Sequence, residues 1–170
     1  MNKNENQHSS HCSCGHDHSN DHQHKEAACH SYDENPTINA DEKALLLELQ
    51  KNTYLPISQF IMSSSIEEEA AFIALEPVYI ENLNDTMETV KAKGAVLCEL
   101  EKKGLITLDY DIPIERYDYR FHTNSKLFAY FKQTIDEGRN NPNFLCDTAE
   151  IEPGSIALTE LGLKIVKHLI

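Results

Sequence analysis

An α+β domain behind a disordered, histidine- and cysteine-rich N-terminal tail is what this sequence predicts, on three observations. Residues 1–36 lack the aliphatic residues a core needs, Ala27 and Ala28 apart. Residues 84–109 read as a capped amphipathic helix, a glycine stop and an immediate β-branched strand. Two further stretches, 71–81 and 125–138, carry β-former and helical patterns respectively.

The tail concentrates seven of the nine histidines and three of the five cysteines between positions 8 and 30. His8, His11, Cys12, Cys14, His16 and His18 follow H-x-x-H-C-x-C-x-H-x-H spacing, continued by His22, His24, Cys29 and His30. Alternating imidazoles and thiols on a flexible chain converge readily on one ion. Zinc takes tetrahedral N/S sets, while Ni(II), Co(II) and copper accept imidazole-rich ones. The predicted cofactor is therefore a transition metal ion, zinc or nickel. Without a closed C-x-x-C framework the segment reads as a weak sink or handover tether, unlike a structural zinc finger. It resembles the histidine-rich tails of metal chaperones, zinc transporters and nickel-handling proteins.

After Pro36, Asn39 or Asp41 caps a predicted helix running to Asn52, with Ala44, Leu45, Leu47 and Leu49 marking a buried side. Tyr54–Met62 supports two readings: Pro56 suits a first helical turn, yet Leu55, Ile57, Gln59 and Ile61 alternate as in a strand. Residues 71–81 predict a strand that Pro77 confines to an edge or a bulge. In the central helix Asp85 with Glu88 imitates a capping box, and Met87, Val90, Gly94, Leu97 and Cys98 share one face. Lys102 and Lys103 suit the negative end of the helix dipole, Gly104 supplies a left-handed stop, and 105–108 continues as strand.

Pro113 places a turn in 111–119. Ser125 caps a helix buried through Leu127, Phe128, Phe131 and Ile135 and closed by Gly138. Residues 140–143 form a loop, and Thr159 caps a last helix with Leu161, Ile165 and Leu169 as its stripe.

Leu100–Ile106 (L-E-K-K-G-L-I) resembles the recognition-helix exit of winged-helix transcriptional regulators. Ala157–Gly162 (A-L-T-E-L-G) is similar to the segment by which their second wing strand enters the next helix. The resemblance implies a winged-helix-like domain over 37–170, a wing carrying an insertion, a dimer, and duplex DNA as partner. The residues it nominates for DNA are Thr89, Lys91, Lys93 and Lys103 on or beside the central helix, with Arg116 and Arg120 from the wing. A metal-linked transcriptional regulator is the function implied.

Charge argues the other way. The chain carries −13, and beyond residue 35 it still holds 13 basic against 22 acidic residues, a balance of −9. DNA binders draw most of their affinity from basic patches. The alternative is a metal-sequestering or delivery protein whose domain docks on a protein partner. Catalysis is not expected: His122 and Cys146 lack a flanking signature, and His122 reads as a loop residue before a helix. No apolar run approaches the ~20 residues of a membrane span, and the N-terminus is hydrophilic, so a cytoplasmic location is expected.

Overall fold

The computed structural model describes residues 35–67 and 69–169. The tail donors His8, His11, Cys12, Cys14, His16, His18, His22, His24, Cys29 and His30 lie outside the described residues. Among the described residues the architecture is α+β, with five helices and a four-stranded antiparallel sheet.

Helix α1 (Ala40–Asn52) begins with a reciprocal capping box: Glu42 N–H donates to the Asn39 side chain, and Asn39 N–H to the Glu42 carboxylate. Leu45, Leu46, Leu49 and Glu42 are its buried residues, whereas Ala44 is exposed. The ambiguous stretch is strand β1 (Tyr54–Ser63), followed by β2 (Ala71–Val78). Pro56 is tolerated in β1 because β2 pairs only from Ser58 onward, so no neighbour on that side needs its missing N–H. The edge position predicted for Pro77 holds: β2 ends the order β2-β1-β4-β3, and irregular register interrupts its pairing with β1.

Helix α2 (Met87–Lys102) follows a loop over 79–86, and the hairpin β1–β2 separates it from α1. Its cap is Thr86, whose Oγ1 accepts from Thr89 N, and not Asp85 with Glu88. The Asp85 carboxylate is engaged in the preceding loop, accepting from Glu81 N and Asn82 N. Val90, Gly94, Leu97 and Leu100 face inward while Cys98 is half-buried. Gly94 allows close approach of α2 to β2: a Cβ there would stand 3.2 Å from the Pro77 carbonyl oxygen. Gly104 has φ 70°, the left-handed stop expected after the helix.

Strand β3 (Ile106–Asp109) pairs directly with β4 (Thr148–Leu158), so residues 110–147 form an excursion between neighbouring strands. The excursion contains α3 (Arg120–Thr123), unexpected from the sequence, and α4 (Lys126–Gly138), capped by Ser125. Helix α5 (Glu160–Leu169) is capped by Thr159, which accepts from Gly162 N. The fully buried positions of α5 are Gly162 and Val166. Leu161, Ile165 and Leu169 pack only half-buried beside them, because close approach to the Leu105 backbone, just before β3, favours the glycine side.

Two clusters fill opposite faces of the sheet, as alternate β1 positions require. Leu55, Ile57 and Ile156 meet α1, α5 and the C-terminal half of α2. Phe60 meets Phe128 and Phe131 of α4, with Val90 and Val78 beside them.

Gly162→Ala is expected to be severe. Its Cβ would lie 2.0 Å from the Leu105 carbonyl oxygen, which accepts from Thr159 N at 3.0 Å. Backbone cannot yield there as a side chain would, so a loss of about 3 kcal/mol is expected in urea unfolding. Gly94→Ala, at 3.2 Å, should cost clearly less.

Candidate functional site

The six residues nominated for DNA do not form a free cationic surface. Thr89 sits in the first turn of α2 with its hydroxyl 3.2 Å from that of Thr86. Lys93 Nζ is 2.7 Å from Glu81 and 3.1 Å from Asp85. Burial opposes its charge, but the two carboxylates more than compensate and raise its pKa. Lys103 Nζ donates to the buried Glu42 at 2.6 Å and to the Thr37 carbonyl at 2.8 Å. Arg120 is bound to Asp118 through Nε and Nη2, at 2.6 Å for the latter. Lys91 and Arg116 are exposed, Arg116 in a loop with φ 67°. Three of the five cations thus face carboxylates of this same chain, and little charge is left for phosphate.

What α2 does build is a cleft of about 240 Å³ against α1. Ala44 and Leu45 from α1 and Ala92 and Val96 from α2 supply its apolar walls. Tyr79, itself buried, lines the cleft and donates its phenol hydrogen to Glu48 Oε1 at 2.9 Å. Burial and then that Glu48 bond push the phenol well above its ordinary range. Lys93 Nζ stands 5.6 Å from the Tyr79 ring centroid, within cation–π reach. Asp41, Glu48 and Glu81 border the cleft, so its rim is acidic apart from Lys93. Such a site suits groups with an apolar body and a positive end.

A second polar arrangement lies inside the fold. His122 is fully buried, with Nδ1 2.8 Å from the Ser58 hydroxyl of β1. Among the described residues its Nε2 has no hydrogen-bond partner. Tyr117 and Tyr119 surround the ring, at 6.2 and 5.7 Å between centroids. Tyr119 ties this region to the sheet by donating to the Gly154 carbonyl at 2.6 Å and accepting from Ile114 N. Desolvation lowers the His122 pKa to about 4, so the ring is neutral near pH 7. His122 is therefore no loop histidine: it joins the excursion to β1. No local pattern announces this, since the alternation of Tyr117, Tyr119 and Phe121 marks the odd positions and passes over His122. His168, by contrast, lies exposed in the last turn of α5, its Nδ1 2.8 Å from the Lys164 carbonyl.

Among the described residues no three His, Cys, Asp or Glu side chains form a metal-holding group. Among them, too, no helix is long and apolar enough to cross a membrane. No family model matches the chain, and no curated protein matches it at a significant level. Among solved structures it is similar to an uncharacterized protein from the hydrocarbon-degrading marine bacterium Alcanivorax borkumensis SK2. The likeness covers 78% of this chain and 86% of that one, at 14% identity and a TM-score of 0.44, too loose to carry an argument.

Proposed function

We propose that this is a metal-sequestering or delivery protein whose N-terminal segment captures a transition metal ion and whose folded domain associates with a partner protein. One observation carries the choice of a protein partner over DNA. Lys93, Lys103 and Arg120 are neutralised by Glu81 and Asp85, by Glu42 and by Asp118. The metal half of the reading rests on the donor set of the tail, seven imidazoles and three thiols within residues 8–30. Zinc or nickel suits that mixture. Bound there, the ion is held for transfer. Since thiolate and neutral imidazole are the binding forms, affinity falls as pH is lowered.

A transcriptional regulator is the second reading. It draws on the Gly104 stop leading into β3 and on the Thr159 cap leading into α5, both at positions of the winged-helix resemblance. Lys91 and Arg116 would then be the cations available to phosphate.

The two readings part in one experiment. The full chain is expected to compete with a chromogenic chelator for Zn(II) or Ni(II). A variant with the ten tail donors replaced by asparagine and serine loses that competition. Neither binds a pool of duplex DNA at about 100 mM salt, with or without metal. Saturable DNA binding that falls steeply with salt would instead establish the regulator. Unchanged metal uptake in the substituted chain would refute the role of the tail.

A further inference from the structure

We infer that the cleft between α1 and α2 is a docking site for a lysine- or arginine-bearing segment of a partner protein. This deepens the reading of the domain as a protein-association module and rests on it. The walls Ala44, Leu45, Ala92 and Val96 match the aliphatic stem of a long cationic side chain. Asp41 and Glu48 await its charged head at the rim, Glu81 being engaged by Lys93. At about 240 Å³ the space admits one such side chain, not a folded element.

The chain's own Lys93 displays the chemistry. It lays an ammonium 5.6 Å from the Tyr79 ring centroid and closes on Glu81 and Asp85. An incoming cation would use the opposite side of the cleft, toward Glu48 and Asp41. Tyr79 holds Glu48 in place through the 2.9 Å phenol bond, so the acceptor is pre-positioned. Charge selects the occupant: with −13 overall and four carboxylates around one lysine, an acidic or neutral segment gains nothing here.

The test uses the full chain and a fluorescein-labelled octapeptide of alternating lysine and alanine, followed by anisotropy. Saturable, salt-sensitive binding is expected. Asp41→Asn with Glu48→Gln should weaken it at least about five-fold. Ala92→Arg, which places the chain's own guanidinium in the cleft, should weaken it as much. Glu150→Gln with Glu152→Gln removes the same charge from β4, outside the cleft, and should change affinity less than two-fold. Equal losses from the cleft and β4 pairs would reduce the effect to net charge and overturn the docking site, as would absence of saturable binding. Metal competition by the same chain, measured in parallel, separates failure of the cleft from failure of the metal reading. Circular dichroism melts of each variant show whether the fold is retained, and Ala92→Arg, on an exposed position, decides the matter if Glu48→Gln unfolds.

Discussion

Replacing Lys103 with methionine is expected to destabilise the domain by about 3 kcal/mol, lowering the melting temperature by about 8 °C. The reason lies in Glu42, whose side chain is only 2% exposed. One carboxylate oxygen accepts from Asn39 N at 2.8 Å and closes the α1 capping box; the other meets Lys103 Nζ at 2.6 Å. Without the ammonium, a buried negative charge keeps its desolvation cost and loses its counter-charge. Breaking one side of such a pair costs about 3–5 kcal/mol, and the partial exposure of Lys103 places this case at the lower end. The double variant Glu42→Gln with Lys103→Met should recover most of the loss, because the amide oxygen still accepts from Asn39 while the charge is gone. Chemical denaturation of the three chains measures this. A loss below about 1 kcal/mol in the single variant would mean that water reaches Glu42 and that the pair is a surface ion pair in effect.

The second large effect is a loss of stability on mild acidification, set by His122. In the unfolded chain its imidazole titrates near 6.5, whereas in the fold burial holds it at about 4. Between those values the unfolded state binds more protons, so stability rises with pH across that window. It is fully present above about pH 6.5, declines as pH falls through the window, and levels off below about pH 4. The difference corresponds to about 3 kcal/mol.

Among the described residues nothing facing the ring offsets the charge. Ser58 approaches from β1, Tyr117 and Tyr119 from the segment before α3, and desolvation alone displaces the pKa. Asp85, Asp118 and Asp147 have pKa values held below the ordinary carboxylate value of 3.8. The stability they contribute is present above 3.8 and lost at lower pH. The exposed Glu88 and Glu99, held below 4.5, begin to lose theirs at the acid end of the histidine window, so the comparison with His122→Gln isolates the ring. Urea midpoints at about pH 7 and about pH 4.5 should differ markedly in the parent and much less in His122→Gln. Equal pH dependence in both chains would show that the ring is already solvated in the fold.

Local chemistry made much of this fold legible. Asn39, one of the two caps the sequence offers for α1, acts as cap, as do Ser125 and Thr159, and Gly104 takes the left-handed turn its position demands. Each of these bonds spans three residues or is a property of one backbone. At the start of α2 the same local chemistry is ambiguous, because Asp85, Thr86 and Glu88 offer competing acceptors. The position was settled by Asp85 being drawn to Glu81, Asn82 and Lys93. The 54–62 stretch had both periodicities, and pairing with β4 over its full length decided for strand.

By itself the sequence determined the element order around α2, the α+β class and the concentration of metal-type donors in the tail. Tertiary structure alone decided which charges are available and which histidine is buried. Lys103 finds Glu42 across 61 residues and His122 finds Ser58 across 64, separations at which no periodicity survives. Caps and turns follow from neighbours in the chain. The charge on a lysine, or the proton on a histidine, follows from whatever the completed fold places beside it.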